Sequence, residues 1–348
     1  MGVIKHNSMK NNTLKISVIG WGAGTFNVLY GLKTTKTKQE KELSAIIAMT
    51  DSGGTTWEIR DKYGVLPPWD IRRWIAALAK DTGMVRELFE YKFEQETGCI
   101  WANKLWNTLI TALWNIKGSF EAGLDAACEM FQVKGNVIPV TLDDVHLWAN
   151  YEDGSQVIWE KNIDVSGTNP EEKWHNINQN ITEAFLVWGE WNLNPRARKA
   201  ILNSDIIIIG PGNFYTSIVP NLLSKWMKEA LWETEAKIVY VTNIMADKWE
   251  TTTYTIPDLI DNIEKYAGEV IDYVLVNNGN ISETLVEKYK ESEAKKPLKL
   301  KPWTTFEGKT YEIIECDFVN ESDVIRHDPQ KLSHALIDLA QNQLKLIK

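Results

Sequence analysis

Short apolar runs alternate with amphipathic stretches along most of the chain. The β-branched runs have the length of buried strands, and they are residues 15–19, 44–50, 205–209, 237–242 and 273–277. Between and after them, apolar residues recur at helical spacing over residues 26–32, 70–80, 85–95, 103–115, 120–131 and 329–344. Strands that alternate with helices predict an α/β protein with a mainly parallel sheet, covered by helices on both faces.

Chain length and turn residues bound the domain organisation. The 348 residues are enough for one large α/β domain or two small ones. We expect a flexible amino terminus at residues 1–13 and a single domain over residues 14–348. Shorter strand-like runs with a turn at Asp153 and Gly154 predict a small antiparallel excursion near residues 136–165. Those runs are residues 136–142, 145–151 and 156–159.

Composition and charge narrow the class of protein. The net charge is −9 and the pI is near 5.3, which disfavours nucleic acid as a partner. A small anion stays open as a ligand, because backbone amides bind anions whatever the net charge. Cys99, Cys128 and Cys316 lie far apart, without metal or disulfide spacing, as in a reducing compartment. With no membrane-length apolar run and no signal peptide, we expect a cytoplasmic protein, for which a homo-oligomer remains open.

Glycine-rich loops follow three of the predicted strands. In open parallel sheets, ligands bind beyond the carboxyl ends of the strands. Glycines there let backbone N–H groups approach a phosphate at the start of a helix, and hydroxyls add donors. The candidate phosphate-binding residues are Gly20, Gly22, Gly24 and Thr25 in the first loop, Ser52, Gly53 and Gly54 in the second, and Gly210, Pro211, Gly212, Tyr215, Thr216 and Ser217 in the third.

Each loop alone is also compatible with a plain tight turn, and only their occurrence at three strand ends favours a ligand site. The first loop has Thr25 where the dinucleotide fingerprint has its last glycine. This difference disfavours a nicotinamide-dependent oxidoreductase.

Polar residues near the loops have both a functional and a structural interpretation. Asp51 orients a ribose hydroxyl, holds a metal or acts as a base, or else it caps a helix. Asp70 caps a helix as readily as it contacts a ligand, and Arg72 is a phosphate ligand or a surface charge. Asn107 faces the ligand or is an ordinary surface residue, while Asn243, at a strand end, is expected to orient the ligand. The isolated histidines do not predict a zinc site.

In combination, these motifs resemble the YvcK/CofD-like family, which includes the gluconeogenesis factors. The resemblance covers roughly residues 14–340. The matching segments are residues 20–25, 51–54, 64–72, 137–141, 209–212, 215–217, 220–222, 243–245 with Glu250, and 254–255.

The resemblance implies a Rossmann-like three-layer α/β/α sandwich. YvcK-type members bind UDP-sugars such as UDP-N-acetylglucosamine and are linked to carbon metabolism and cell-wall or cell-shape control, with no established reaction. For this chain that implies a nucleotide-sugar-binding regulator that needs no cofactor, with Tyr254 and Arg326 contacting the ligand. A half-buried structural tyrosine is the alternative for Tyr254. CofD-type members are 2-phospho-L-lactate transferases acting on a deazaflavin, and in that alternative Asp51 would be catalytic and bind Mg²⁺.

This chain departs from the family resemblance at a set of positions that hold tryptophan instead of glycine. Turns that need a small residue or a positive φ strongly disfavour a bulky side chain such as that of tryptophan. One interpretation is that UGA codons, read as glycine in the source organism, are written here as tryptophan, and the arginine-poor, lysine-rich composition suits an AT-rich genome. The alternatives are a paralogue with a blocked site and tryptophans that pack harmlessly. The family pattern has glycine at Trp21, Trp57, Trp69, Trp106, Trp159, Trp226 and Trp249.

Overall fold

Within the part of the chain that the structure describes, the strands form one large sheet and three small ones. A computed structural model describes residues 13–52, 66–91, 105–163, 179–246, 250–251, 253–292, 296–300, 306, 308–320 and 325–346. The strands in these ranges are β1 (Thr13–Ile19), β2 (Glu40–Ile47), β3 (Asn136–Pro139), β4 (His146–Tyr151), β5 (Gln156–Ile158), β6 (Ile181–Val187), β7 (Ile206–Ile209), β8 (Lys237–Val241), β9 (Met245–Ala246), β10 (Tyr273–Asn277), β11 (Lys296–Pro297), β12 (Glu312–Cys316), β13 (Val319–Asn320) and β14 (Arg326–His327).

The central sheet has seven strands in the order β12-β10-β8-β7-β1-β2-β3. Every neighbouring pair in it is parallel, which confirms the predicted α/β class. From β1 the chain moves outward to β2 and β3, then returns to β7 beside β1 and moves outward in the other direction. The strand order therefore reverses between β1 and β7, where open α/β sheets bind their ligands.

Helices cover both faces of this sheet. Along β7, Ile206 and Ile208 belong to one buried cluster and Ile207 and Ile209 to the other, so the strand is buried on both sides. Among the described residues, no helix combines the length and apolar character that a membrane crossing needs. The α-helices are α1 (Gly22–Thr34), α2 (Pro68–Leu78), α3 (Thr82–Glu90), α4 (Leu105–Lys117), α5 (Phe120–Met130), α6 (Glu160–Ile163), α7 (Pro195–Leu202), α8 (Val219–Leu222), α9 (Met227–Glu233), α10 (Ile256–Ala267), α11 (Glu283–Ser292) and α12 (Pro329–Leu346).

An antiparallel sheet of order β5-β4-β6 lies outside the central sheet. The segment 136–142, expected in the antiparallel excursion, instead forms β3, which pairs in parallel with β2. The apolar Val137 and Ile138 are buried on opposite faces of the central sheet, so both faces of this edge strand are covered. The division into a flexible amino terminus and one domain remains a prediction.

Candidate ligand-binding site

The first and third glycine-rich loops leave the sheet side by side. Strands β1 and β7 are paired up to Ile19 and Ile209, so the loops begin at adjacent positions. The Gly210 N–H donates to the Ile19 carbonyl oxygen at 2.9 Å, and the Gly20 N–H donates to the Ile46 carbonyl oxygen at 3.3 Å. The sequence prediction that these loops share one edge of the sheet agrees with this geometry.

Close backbone contact fixes the two loops against each other. A Cβ atom on Gly24 would lie 2.5 Å from the Pro211 carbonyl oxygen, and one on Gly212 would lie 2.7 Å from the Trp21 carbonyl oxygen. The Thr25 hydroxyl donates to the Pro211 carbonyl oxygen at 3.1 Å. Glycine at 24 and 212 therefore serves loop packing, and the Thr25 hydroxyl serves the loop contact rather than a ligand.

The amino terminus of α1 opens between these loops. Its N-cap residue, Trp21, makes no side-chain capping hydrogen bond, and the first turn has no acidic residue. The first N–H groups of a helix have no partner within the helix and carry a partial positive charge. Ala23 and Gly24 from this turn line a cavity of about 240 Å³. This end of α1 is therefore suited to an anionic group.

The same cavity, here called the interloop cleft, brings together five of the predicted site residues. They come from α1, the third loop, the end of β8 and β14, and they are Gly24, Pro211, Gly212, Asn243 and Arg326. The Gly212 N–H donates to Asn243 Oδ1 at 3.3 Å, which ties the third loop to the neighbouring strand end. Arg326 is exposed and provides a cation at the rim.

Asn27 and His327 are among the cleft residues that the sequence interpretation did not assign. Asn27 Nδ2 donates to the His327 carbonyl oxygen at 3.1 Å. Burial lowers the pKa of His327 to about 4, so its imidazole is neutral near pH 7. Among the described residues the buried Nε2 atom has no hydrogen-bond partner. The only sequence signal was its position directly after Arg326.

An arginine-rich cavity of about 200 Å³ adjoins the interloop cleft and shares Ala23, Asn27 and Arg326 with it. Four of the seven arginines of the chain line it, together with Glu90. Arg86 Nε lies 3.3 Å from Glu90 Oε1. The cavity lining is therefore positively charged overall. The four arginines are Arg72, Arg73, Arg86 and Arg326.

Arg72 is less accessible to a ligand than a surface arginine would be. It is buried, and its Nη1 atom donates to the Phe89 carbonyl oxygen at 3.1 Å. Asn107 is buried in α4, which contradicts its interpretation as a surface residue, and it is not among the residues that line either cavity.

Beneath the cleft, buried Glu250 holds the third loop. The Tyr215 N–H donates to Glu250 Oε2 at 2.7 Å, and the Thr216 hydroxyl donates to Glu250 Oε1 at 2.5 Å. The residues from Phe214 to Ile218 form a single π-helical turn, in which Ser217 is also buried. The Thr216 hydroxyl is therefore directed into the protein and not into the cleft.

Tyr254 lies with this inner layer. Its hydroxyl is 2.7 Å from the Tyr215 hydroxyl and donates to the Ile181 carbonyl oxygen at 3.1 Å. Burial raises the pKa of Tyr254 and raises that of Tyr215 far above its usual range, so both are neutral phenols. Tyr254 does not line the interloop cleft. Its contacts correspond to the structural alternative, although a role in ligand binding remains a prediction.

The second loop is described only at its start. Asp51 and Ser52 are buried at the end of β2, and Ser52 Oγ accepts from the Lys161 N–H at 3.2 Å. Gly53 and Gly54 lie outside the described residues. The Asp70 backbone lies in α2, and its side chain is also outside them.

The transferase alternative would place a divalent metal at Asp51. Among the residues that the structure describes, no three His, Cys, Asp or Glu side chains come together as a metal-binding group. Mg²⁺ is commonly held by one or two carboxylates together with substrate phosphates, so a metal at Asp51 remains a prediction.

The parallel sheet, its reversal point and the loops there define a Rossmann-like α/β protein with a cleft at the carboxyl edge of the sheet. The sequence profile of the 2-phospho-L-lactate transferase CofD family matches residues 16–319. The gluconeogenesis factor of Bacillus subtilis is 32% identical over 93% of this chain and 98% of its own length. The gluconeogenesis factor of Listeria innocua is also 32% identical, over 96% of this chain and 98% of its own.

A solved structure shows the same fold. The crystal structure of a UPF0052-family protein from Bacillus halodurans superimposes with a TM-score of 0.82 at 29% identity, covering 94% of this chain and 99% of that chain. The chain belongs to the YvcK/CofD-like family.

Proposed function

We propose that the protein binds a UDP-sugar such as UDP-N-acetylglucosamine in the interloop cleft and acts as a regulatory binding protein. The observation that supports this most strongly is the convergence of two glycine-rich loops, the uncapped start of α1 and Arg326 on one cavity. A diphosphate needs backbone N–H donors and a cation within reach of its oxygens, and this arrangement provides both.

The adjoining arginine-rich cavity gives the ligand a second compartment. Both cavities are lined by Ala23, Asn27 and Arg326, so one extended ligand reaches both. With the diphosphate at the start of α1, the nucleoside or the sugar lies against Phe26 and the arginines. Arginine planes and aromatic rings stack on bases and on sugar faces.

The proposed output is regulation of carbon metabolism and of cell-wall or cell-shape control in the cytoplasm. Its basis is the family, whose curated relatives are named gluconeogenesis factors. In this role the bound nucleotide sugar reports precursor supply, and no cofactor or bond cleavage is required.

Calorimetry with UDP-N-acetylglucosamine tests the binding. We expect saturable binding with no turnover by phosphorus NMR, and about a tenfold loss of affinity in Arg326→Gln. Arg198→Gln is the matched control, because Arg198 is a half-exposed surface arginine paired with Glu233. Absence of binding at millimolar ligand, or equal loss in both variants, would contradict the proposal.

The second candidate is a phospholactyl transferase, which the name of the matching family profile favours. Metal-dependent transfer of a phospholactyl group to a deazaflavin, abolished in Asp51→Asn, would establish it and overturn the regulator. Binding of UDP-N-acetylglucosamine without such transfer would exclude it.

A further inference from the structure

Backbone conformation singles out four tryptophans. Five non-glycine residues of the described chain have a positive φ: Gln132 (49°), Trp159 (74°), Trp188 (59°), Trp191 (44°) and Trp226 (71°). Tryptophan makes up only 16 of the 348 residues. Its share of these positions, four of five, is far beyond what random placement gives.

The left-handed region of φ is the one where glycine has its advantage. A side chain there crowds the following carbonyl, at a cost of roughly 1–2 kcal/mol per residue, whereas glycine has no Cβ atom to crowd it. Trp159 and Trp226 have nearly the φ of true glycines of this chain, such as Gly210 at 78° and Gly118 at 81°. Their backbone is therefore that of glycine.

The four positions are also where chains use glycine, at the junctions of elements. Residue 159 joins β5 to α6, and residue 188 directly follows β6. Residue 191 lies between β6 and α7, and residue 226 is the N-cap of α9.

Burial of these indoles offsets little of the backbone strain. Trp188 is 53% exposed and Trp226 is 61% exposed. Trp159 and Trp191 are half-buried and each has a lysine over its ring, at 5.7 Å and 5.2 Å. Trp188 also packs edge-on against His146 at 4.9 Å. These ring contacts are the compensation that genuine tryptophans would have, and they make the question testable.

We propose that the protein made in its own cell has glycine at positions 159, 188, 191 and 226, because their codons are UGA read there as glycine. Positions 159 and 226 are also among those where the resemblance described above implies glycine, while 188 and 191 are identified by backbone conformation alone. The proposal is independent of the proposed function.

Trp106 is a tryptophan that the criterion of a left-handed φ excludes. The resemblance implies glycine there as well, yet Trp106 lies within α4, is fully buried and packs on Phe89 at 4.4 Å between ring centroids. The backbone gives no reason to replace it, and the proposal does not include it.

The codons and the protein itself give the direct test. We expect UGA at all four positions in the gene, and glycine at each in tryptic peptides of the protein purified from its own cells and measured by mass spectrometry. A UGG codon at any of the four positions, or a tryptophan-containing peptide there, overturns the proposal.

A matched pair of variants tests the physical premise. Trp226 and Trp232 are both highly exposed, at 61% and 74%, and are six positions apart. Trp232 lies inside α9 with helical backbone, whereas Trp226 has a left-handed φ at its start. In the chain with tryptophan at all sixteen positions, we expect Trp226→Gly to raise the midpoint of thermal unfolding by about 2 °C. Trp232→Gly should lower it by a similar amount, because glycine disfavours a helix interior.

The variant with all four positions changed to glycine should show a larger rise than Trp226→Gly alone. The sum of the four single effects is not expected to be exact, because the rings of Trp159 and Trp188 lie 6.4 Å apart and neighbouring sites are coupled. Two results would show that the indole contacts outweigh the backbone strain. One is a fall in the unfolding midpoint of Trp226→Gly as large as that of Trp232→Gly, and the other is a fall in the midpoint of the fourfold variant. Either result overturns the proposal.

Discussion

Replacing Glu250 with alanine removes the acceptor that anchors the third loop. Its two carboxylate oxygens accept from the Tyr215 N–H at 2.7 Å and from the Thr216 hydroxyl at 2.5 Å. All three residues are fully buried, so water does not reach these donors in the folded protein. The variant therefore leaves two buried donors unsatisfied and a cavity where the carboxylate was.

The magnitude follows from those two hydrogen bonds. A hydrogen bond to a charged group contributes roughly 1.5–3 kcal/mol, and an unsatisfied buried donor carries a desolvation penalty of similar size. We expect Glu250→Ala to lower the free energy of unfolding by about 3–5 kcal/mol, since water entering the new cavity recovers part of the loss. That is a large part of the 5–15 kcal/mol typical of a domain.

Urea unfolding followed by circular dichroism measures this loss. Glu250→Gln keeps one carbonyl acceptor and should lose about half as much. Glu233→Ala is the control, because it breaks only a half-exposed ion pair with Arg198 and should cost less than about 1 kcal/mol. An effect of Glu250→Ala no larger than that of the control would refute the anchoring role.

Three further predictions address the cleft and the core. Burial lowers the pKa of His327 to about 4, so the unfolded chain takes up its proton first as pH falls. The free energy of unfolding should therefore drop by up to about 3 kcal/mol between pH 6.5 and pH 4, and less in His327→Gln, by urea titration at each pH. Gly24→Ala places a Cβ atom 2.5 Å from the Pro211 carbonyl oxygen and should lower the free energy of unfolding by about 3 kcal/mol. Gly83→Ala is the control, because a Cβ atom there has nothing nearer than 3.7 Å and should not destabilise the protein. Similar midpoints of thermal unfolding for the two variants would contradict this prediction. Burial raises the pKa of Cys128 to about 12, so at pH 8 iodoacetamide should label it slowly until urea is added, as read by peptide mapping; rapid labelling of the folded protein would contradict this.

The central sheet was predictable because its strands are dense β-branched runs. The run 205–209 became β7 (Ile206–Ile209), and 273–277 became β10 without change. Strands β6 and β12 were missed, because their charged residues interrupt the apolar pattern and their pairing partners are distant in sequence. Helix α10 was also missed, although its capping box of Thr255 and Asp258 is a local signal that sequence reasoning can use.

The site was predictable where it depends on the backbone and not where it depends on side-chain direction. Loop glycines show in sequence because close approach excludes a Cβ atom, as at Gly24 and Gly212. Hydroxyls at Thr25 and Thr216 were expected to face a ligand, yet both bond inward. Their partners are remote in sequence, and one of them, Glu250, had no predicted role of its own. Pattern alone therefore locates a loop without deciding which of its donors remain for a ligand.

Position 21 shows how this distinction bears on the ligand. The Trp21 carbonyl oxygen accepts from the Thr25 hydroxyl at 3.3 Å and touches Gly212, so the backbone of residue 21 helps to shape the loop contact. Its indole only packs against the core, and among the described residues the buried indole N–H has no hydrogen-bond partner. Because φ at residue 21 is −147°, any side chain is tolerated there, and glycine would keep the same backbone contacts. The geometry of the proposed anion site therefore depends on the backbone of residue 21 and not on its indole, so the proposed ligand does not depend on which residue occupies this position.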